Sequence, residues 1–318
     1  MHYLCRAMKT IFFPDEQFTE GAYAATVGFF DGVHQGHRAV MEHLKKEAAR
    51  NQLSSMVITF ERHPRQVVQK DWQPELLTTL EEKTGLIEKA GIDVLVVLRF
   101  DSEMAGLSAF DFMDKVLREA LNVRLLLTGY DNRFGHDRKA GFDDYCRYGE
   151  TLGIDVMAAE PVTVGTSNVS SSRIRQLLKE GEVEEARYCL GHPYTLGGVV
   201  VHGEQIGRKI GFPTANLRPD EGKLIPADGV YAVRAEVEGY QQLRGITNIG
   251  TRPTFDGTAR TLETNLLDAV GNIYDRRMQV CFFSRLRGEK LFPSGEALAE
   301  QIRKDKEKVE QILNKEII

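Results

Sequence analysis

The chain has 318 residues, of which 42% are hydrophobic and 27% are charged. This balance is typical of a globular protein, and the length allows two domains with separate cores. The formal net charge of −5 argues against a broad surface for nucleic acid or for an anionic membrane, but it is compatible with a local basic pocket for a small anion. The four cysteines form no CxxC pair and no apolar stretch approaches the length of a membrane span, so we expect a cytoplasmic protein with reduced thiols.

Residues 22–160 show an alternation of short apolar runs with helix-like segments. Apolar residues recur at helical spacing between the runs, and Thr79 with Glu82 has the spacing of a capping box. Such an alternation predicts a mostly parallel sheet with helices on both faces, and sheets of this kind bind ligands at the carboxyl ends of their strands. The predicted strands are residues 23–27, 56–60, 94–98, 125–128 and 155–158.

The pattern changes near Pro193, after which short strand-like segments follow one another with Gly, Pro and Asp between them. Such segments without intervening helices predict an antiparallel barrel or sandwich, closed by one amphipathic helix from Ser294 onward. We therefore predict that residues 1–186 form the first domain and residues 187–318 the second. The predicted strands of the second domain are residues 194–202, 230–237, 245–249, 262–268 and 279–283.

Residues 28–38, which read GFFDGVHQGHR, are the most informative stretch of the first domain. They follow an apolar run and open a helix-like pattern, and their three glycines let the backbone turn tightly and approach a ligand. The N–H groups at a helix start favour an anion, and the imidazoles of His34 and His37 are able to donate hydrogen bonds to phosphate oxygens. These residues indicate a phosphate site. Taken alone, they leave open a surface histidine pair at a helix start and half of a metal site.

A second stretch of related chemistry is SSSRIR at residues 170–175. Its serines are able to cap the helix that follows while their hydroxyl and N–H groups face an anion, and an arginine of the stretch adds bidentate contacts to phosphate. Read alone, the stretch is better explained as an ordinary serine cap of a helix.

In the second domain, residues 203–217 read GEQIGRKIGFPTANL. The glycines allow backbone N–H groups to close over phosphates, while the Thr214 hydroxyl and the Asn216 amide oxygen are hard ligands that suit Mg²⁺. The stretch is not a Walker loop, because GxxxxGK[ST] is absent, and without further context a loop rich in Gly and Pro is a turn. Glu263, when taken alone, is likewise explained as a polar position on the outer face of a strand.

Together, the HxGH at residues 34–37 and SSSRIR resemble the HxGH and SSTxxR elements of the nucleotidylyltransferase superfamily. The words TFERHPR at 59–65, LLTTLEEK at 76–83 and GYDNRFG at 129–135 narrow the resemblance further. Residues 9–190 resemble the adenylyltransferase half of the bacterial bifunctional riboflavin kinase/FAD synthetase family. The expected fold of this half is a Rossmann-like nucleotidylyltransferase domain.

The resemblance of the first domain implies that the phosphate of FMN attacks ATP to give FAD and pyrophosphate. It implies that His34, His37 and Arg175 take part in catalysis. The residues implied to bind ATP are Gly28, Phe30, Asp31, Gly36, Ser171 and Ser172. The residues implied to lie on the flavin side are His63, Asp131 and Arg133.

The second domain resembles riboflavin kinases over residues 191–305. The resemblance rests on the GRxLGFPTAN signature, GVY at 229–231, NIGTRPTF at 248–255 and LETNLLD at 262–268. It implies an antiparallel barrel with a C-terminal helix in which Glu263 is the catalytic base and Thr214 with Asn216 binds Mg-ATP. Further ATP-binding residues are implied at Gly203, Arg208 and Gly211, and flavin-binding residues at Arg252 and Arg287.

Three departures from the family's pattern bear on the flavin pockets rather than on the reaction types. Asn132 stands where the family usually has an aromatic residue, Asn265 where it has a histidine, and Ala269 where an aromatic residue follows the aspartate.

The sequence therefore predicts an enzyme that converts riboflavin to FMN and FMN to FAD, with ATP as co-substrate and Mg²⁺ as cofactor. We expect small-molecule partners only, no nucleic acid or membrane partner, and a monomer or weak self-association. The alternatives are a single-activity adenylyltransferase whose barrel only binds flavin, and an RNA-associated protein related to HxGH-bearing aminoacyl-tRNA synthetases. A zinc site at His34, His37 and His63 is a further alternative, which the glycine-rich spacing and the lack of cysteine partners disfavour.

Overall fold

A computed structural model describes residues 7–16, 21–69, 71–129, 133–159, 163–164, 167–203, 214–254, 257–268 and 270–315. The contacts divide the chain into two compact units. The first unit comprises Met1–Pro74 and Thr78–Val169, and the second comprises Glu75–Leu77 and Ser170–Ile318. The division lies earlier in the chain than residue 187, and the boundary between functional domains at residues 186 and 187 stays a prediction.

The first unit contains a six-stranded sheet in the order β1-β4-β3-β2-β5-β6, in which all paired strands are parallel. Its order reverses at β2, because β3 and β4 lie on one side of β2 and β5 and β6 on the other. Ligands of open parallel sheets bind outside the carboxyl ends of strands at such a reversal, which here is the end of β2 beside β5. The strands are β1 (Lys9–Phe13), β2 (Tyr23–Val27), β3 (Ser54–Phe60), β4 (Val94–Leu98), β5 (Val123–Gly129) and β6 (Asp155–Ala159).

Five of these strands confirm the predicted ones, and β1 was not predicted. Every residue of β2 and of β4 is buried, because both faces of the sheet are covered, and such strands read as continuous apolar runs. A short antiparallel pair, β7 (Thr163–Val164) and β8 (Ser167–Asn168), follows β6.

Helices cover both faces of the sheet, as the sequence predicted. Met56 in β3 belongs to the core that contains Met113, whereas its neighbour Val57 belongs to the core that contains Leu44. The predicted capping box is present at Thr79 and Glu82. The helices are α1 (Gln35–Arg50), α2 (Pro64–Val68), α3 (Leu80–Lys89), α4 (Ser102–Gly106), α5 (Ala109–Asp111) and α6 (Phe142–Leu152), and a π-helical segment (Phe112–Ala120) follows α5 directly.

The second unit begins with helices α7 (Ser171–Glu180) and α8 (Val183–Leu190) and continues into a closed antiparallel barrel. The barrel order is β10-β13-β12-β11-β14-β9, so the second domain is a barrel and not a sandwich. The strands are β9 (Tyr194–Val201), β10 (Thr214–Pro219), β11 (Gly229–Val237), β12 (Tyr240–Thr254), β13 (Gly257–Leu266) and β14 (Arg277–Arg287). Strand β10 was not predicted, because the stretch around it was interpreted as a loop.

The predicted C-terminal helix is present as α9 (Gly295–Asn314), and Ser294 caps it. Its residues Val309 and Leu313 pack on Val230, Ala232 and Ile246, which form an apolar patch on the outer face of the barrel. The helix therefore covers one part of the barrel's outside. Within the described ranges, we find no helix that combines the length and the apolar character needed to cross a membrane.

Candidate active sites

The loop after β2 has an unusual backbone conformation, and it lies at the carboxyl ends of the strands where the strand order reverses. Phe30 and Val33 have φ angles of 53° and 39°, and Gly32 has a φ of 81°. Left-handed backbone costs residues with a Cβ roughly 1–2 kcal/mol each, so surrounding contacts must maintain it. Phe30 and Val33 are both buried, and the N–H of Gly28 donates to the carbonyl oxygen of Ile58 at 3.0 Å.

Asp31 stabilises this loop from the inside. Its buried carboxylate accepts hydrogen bonds from the Thr78 N–H at 3.0 Å and from the Thr78 hydroxyl at 3.2 Å. Thr78 Oγ1 in turn accepts a hydrogen bond from the Gly32 N–H at 3.0 Å. The described bonds of Asp31 are thus to the protein's own loop, and its assignment to ATP stays a prediction.

His34 and His37 lie at the start of α1 with their rings stacked, 3.6 Å between centroids and 16° between planes. His34 Nδ1 accepts a hydrogen bond from the His37 N–H at 3.3 Å, which leaves Nε2 to carry the proton of a neutral ring. Gly36 packs under this ring, and a Cβ there would lie 3.2 Å from it. The HxGH pattern therefore places both imidazoles together at the carboxyl end of β2.

The His37 imidazole is kept neutral by its surroundings. Burial is the largest cause that lowers its pKa well below 6.5, followed by electrostatic interactions with the His34 ring and with the Lys83 ammonium. Its Nδ1 is buried and bonds to no atom of the residues that the structure describes, and the edge of Phe30 contacts its ring. A neutral imidazole with a buried, unsatisfied nitrogen is suited to hydrogen bonding with a ligand.

Lys83, which the sequence interpretation did not assign to the site, lies directly beneath this loop. Its Nζ donates to the carbonyl oxygen of Phe29 and to Thr59 Oγ1, both at 3.0 Å, although its side chain comes from α3. Burial lowers its pKa to about 8, against the opposing effect of Asp31. The sequence contained one signal, the lysine that ends LLTTLEEK at residues 76–83. The spacing of apolar residues around it is that of an ordinary amphipathic helix, which gives no reason to assign the lysine to a site.

His63, predicted for the flavin side, belongs to an aromatic cluster at the end of β3. Its ring centroid lies 4.6 Å from that of Phe29 and 4.7 Å from that of Trp72. His63 also caps α2, since its Nδ1 accepts a hydrogen bond from the Arg65 N–H at 3.1 Å. The cluster offers flat apolar surface beside the loop that carries the histidine pair.

The other predicted residues of the flavin side are less defined. Arg133 is exposed, and its guanidinium donates to the carbonyl oxygen of Lys139 at 3.1 Å. Asp131 and Asn132 lie outside the described residues.

The predicted phosphate-binding residues of SSSRIR lie in the second unit, at the first turn of α7. The cap is Ser170, whose hydroxyl accepts from the Arg173 N–H at 3.2 Å, so Ser171 and Ser172 are the first two helical residues. Arg175 Nε donates to the carbonyl oxygen of Glu75 at 2.8 Å. The serine cap that the sequence predicted is therefore present, and the assignment of Ser171, Ser172 and Arg175 to phosphate stays a prediction.

In the barrel, strand pairing brings three polar residues into one row. Asn216 on β10 is opposite Glu263 on β13, and Glu263 is opposite Asn248 on β12. Residues directly opposite each other share a face, and this is the outer face because Ala215, Thr247 and Thr264, their chain neighbours, are buried inside the barrel.

Thr214 lies on the same outer face, since it is two residues before Asn216, and its partner across the strands is Asn265. The strand pairing thus places Thr214, Asn216 and Glu263 on one face, while their roles in binding and catalysis stay predictions. Gly203 closes this group, because a Cβ on it would overlap the side-chain amide of Asn216. Hydroxyl, amide and carboxylate oxygens are donors that suit Mg²⁺, so this face has the composition of a magnesium-phosphate site.

Two further residues of this face were not singled out from the sequence. Asn248 Nδ2 donates to Glu289 Oε1 at 3.3 Å, and the Glu289 carboxylate lies against Gly250. Asn248 had a usable signal, because it is a polar residue of β12 beside the buried Thr247 and Ile249. Glu289 had none, since it lies in the connection between β14 and α9.

Arg287, predicted to bind flavin, forms an ion pair with α9. Its Nε and Nη2 donate to Asp305 Oδ2 at 3.0 and 2.9 Å, and Gln301 Nε2 donates to Asp305 Oδ1 at 2.9 Å. The Arg287 side chain is 14% exposed and that of Asp305 is 1% exposed. Its flavin contact stays a prediction, and the side chain of Arg252 and residues 208, 211 and 269 lie outside the described part.

The described residues contain no group of three or more His, Cys, Asp or Glu side chains that is placed to hold a metal ion. The predicted magnesium ligands Thr214 and Asn216 are a hydroxyl and an amide, and both would contribute alongside the phosphates of a nucleotide rather than as a protein cage.

Comparison with known proteins gives matches over both units. The family model for FAD synthetase matches residues 16–173, and the model for riboflavin kinase matches residues 190–313. The bifunctional riboflavin kinase/FMN adenylyltransferase of Escherichia coli K12 is 39% identical over 280 residues, which cover 88% of this chain and 89% of that protein. The enzyme of the same name from Listeria monocytogenes is 37% identical over 306 residues, covering 94% and 96%.

A solved structure has the same architecture. A crystal structure from Streptococcus pneumoniae, described as a macrolide-efflux protein, superposes with a TM-score of 0.86 at 32% sequence identity, covering 94% of this chain and 98% of that one.

Proposed function

This chain belongs to the bifunctional riboflavin kinase/FMN adenylyltransferase family, and on that premise we propose how its residues divide the two reactions. It phosphorylates riboflavin to FMN with ATP, and it joins FMN to the adenylyl group of ATP to give FAD. The single-activity and RNA-associated alternatives do not match this family. The observation that carries the division is the placement of the histidine pair at the carboxyl end of β2 and of Glu263, Thr214 and Asn216 on one barrel face.

In the adenylyl transfer, a phosphate oxygen of FMN attacks the α-phosphorus of ATP. The new oxygen–phosphorus bond forms as the bond to the β-phosphate oxygen breaks, and pyrophosphate leaves. The attacking phosphate is already ionised at neutral pH, so no general base is needed. The site must align two anions that repel each other and stabilise charge on the departing pyrophosphate.

The residues proposed for this step suit that demand. His34 and His37 provide hydrogen bonds to the α-phosphate and the leaving group, and the lowered pKa of His37 supports a role for a neutral imidazole. Ser171, Ser172 and Arg175 bind further phosphate oxygens. The loop residues Gly28, Phe30, Asp31 and Gly36 shape the ATP side, while His63, Asp131 and Arg133 contact FMN.

In the kinase reaction, the 5′-hydroxyl oxygen of riboflavin attacks the γ-phosphorus of ATP and ADP leaves. The neutral hydroxyl must lose its proton as it attacks, and we assign Glu263 as the group that accepts it. A positioned carboxylate contributes roughly 10²- to 10⁴-fold in such catalysis. Thr214 and Asn216 would hold Mg²⁺, which would neutralise charge on the ATP phosphates. Gly203, Arg208 and Gly211 are assigned to close over these phosphates. Arg252 and Arg287 are assigned to the flavin.

Two variants test this division in the full chain. Glu263→Gln should lower FMN formation from riboflavin by roughly 10²- to 10⁴-fold, while added FMN is still converted to FAD. The double variant His34→Asn/His37→Asn should form FMN but no FAD. Both are measured by chromatography of the flavins after incubation with ATP and Mg²⁺.

Matched controls are Glu236→Gln, a glutamate of β11 on the same barrel, and His43→Asn, a further histidine of α1. Both controls should retain both activities. Loss of both activities from Glu263→Gln or from the double histidine variant, with an unchanged circular dichroism spectrum, would contradict the division.

We also propose that the chain is a cytoplasmic monomer or associates only weakly. Sedimentation velocity at several protein concentrations tests the proposed oligomeric state, and a single stable species larger than the monomer would overturn it.

A further inference from the structure

Lys83 is a buried cation that the two reactions as described above do not use. Lys83 is 3% exposed. Among the described residues its ammonium has three acceptors, which are Phe29 O and Thr59 Oγ1 at 3.0 Å and Phe60 O at 3.4 Å. All three are uncharged oxygens. A buried charge costs several kcal/mol unless it is well compensated, and an apolar side chain would fill the same space without that cost. The presence of a buried ammonium here is therefore best explained by the groups that it binds.

The three acceptors join the ends of neighbouring strands. Thr59 and Phe60 are the last two residues of β3, whereas Phe29 follows β2 and lies in the loop that leads to His34. The Thr59 hydroxyl also donates to Phe29 O at 3.1 Å, and the Lys83 ammonium lies 4.2 Å from the centroid of the Phe29 ring. Lys83 thus fixes both the carbonyl and the ring of the residue at which the loop leaves the sheet.

The charge of Lys83 also acts on the histidine pair. Among the residues that the structure describes, the charged or titratable groups that interact with Lys83 and His37 are the Asp31 carboxylate, from the turn before α1, and the His34 ring, from the start of α1. The Lys83 cation disfavours protonation of His37, and Asp31 favours the charged form of Lys83. Burial is the largest cause of the lowered His37 pKa, and the Lys83 ammonium adds to it while it anchors the loop.

We propose that Lys83 is a positioning residue of the adenylyl-transfer site, which fixes the loop between β2 and α1 through the carbonyl oxygen and the ring of Phe29. This inference rests on the proposed role of the histidine pair. A shift of the loop by about 1 Å would misplace the pair, and misplacement of that size costs about 10²-fold in rate.

The test compares Lys83→Met, Lys83→Gln and Lys83→Arg in the full chain. Lys83→Met and Lys83→Gln should lower kcat for FAD formation by about 10- to 100-fold, while FMN formation from riboflavin is unchanged. Lys83→Arg, which keeps the charge, should be more active than Lys83→Gln. The His37 pKa, measured by NMR titration of the imidazole protons, should rise in Lys83→Gln because a nearby cation is lost.

The matched control is Lys45→Met, since Lys45 Nζ also donates to a backbone carbonyl, that of Ala90 at 2.7 Å. It should keep both activities and the His37 titration. Equal FAD formation by wild type and Lys83→Gln, or equal loss in Lys83→Gln and Lys83→Arg with an unchanged His37 pKa, would overturn the inference. A wild-type chain that forms FMN but no FAD would instead contradict the proposed function. If Lys83→Met does not fold, the Gln and Arg variants decide.

Discussion

Replacing Asp305 by asparagine should destabilise the second unit, because the change leaves the Arg287 guanidinium without its anionic partner. Asp305 is 1% exposed and lies on α9, where it accepts two hydrogen bonds from Arg287 and one from Gln301. Asparagine has nearly the same shape, so the substitution removes the charge and leaves the packing of α9 in place.

The expected loss follows from the burial of the pair. Removal of one partner from a buried ion pair costs about 3–5 kcal/mol, since the other charge stays buried without compensation. Arg287 retains 14% exposure and so keeps part of its hydration. We therefore expect the lower end of that range, a fall of about 3 kcal/mol in the free energy of unfolding.

The assay is urea unfolding followed by far-ultraviolet circular dichroism. The matched control is Arg244→Met, which breaks a pair with Asp268 whose side chains are 38% and 30% exposed. A pair of that exposure is worth at most about 1 kcal/mol. A loss below about 1 kcal/mol for Asp305→Asn would refute the reasoning, because the pair would then behave as a surface pair.

A double variant, Arg287→Met/Asp305→Leu, separates the ion pair from the proposed flavin contact of Arg287. Replacing both charges by apolar side chains of similar volume is often neutral or stabilising, so stability should recover. If Arg287 acts only through Asp305, riboflavin kinase activity should recover as well. A stable double variant with a raised KM for riboflavin would instead support the flavin contact.

Two further predictions concern stability. Gly149→Ala should destabilise the chain by about 1–3 kcal/mol, because its Cβ would overlap the carbonyl oxygen of Ile154. Its control, Gly85→Ala in the middle of α3, adds a Cβ that meets no neighbouring atom and should stabilise the chain by about 0.5–1 kcal/mol. Equal changes of stability for the two variants in thermal unfolding would contradict the close packing at Gly149. The pKa of Lys83 is lowered from 10.5 to about 8, so the unfolded chain binds more protons between these values and stability rises with pH there. Relative to Lys83→Met, the wild type should gain about 3 kcal/mol from pH 8 to 10.5 in urea unfolding, and a flat or falling difference would contradict the burial of the ammonium.

Most of the fold could be predicted because its signals are local. Buried parallel strands such as β4 read as apolar runs, and the Thr79 cap marks a helix start by chemistry alone. Strand β1 escaped prediction because it lies at the sheet edge, where Phe12 is 45% exposed. Strand β10 escaped because its residues alternate between a polar outer face and the barrel interior within a stretch rich in Gly and Pro.

The site residues were predictable where the functional side chains belong to one short motif. They were not predictable where a contact joins residues that are far apart along the chain. HxGH places two imidazoles on one helix start by spacing alone, and the structure stacks them. The partner of Arg287 is 18 residues further along the chain on a helix face, and no local pattern connects the two. Lys83 was hidden for a similar reason, since its acceptors lie 54, 24 and 23 residues earlier.

The position of Glu263 in β13 makes the barrel intolerant of single-residue insertions at that place. Strand β13 is paired on both sides, with β10 and with β12, and side chains alternate between the two faces. If the residues before it keep their register, one added residue before Glu263 would turn its carboxylate into the interior and bring Thr264 to the outside. Length variation among natural relatives should therefore accumulate in the connections outside β13, or come in pairs of residues within it.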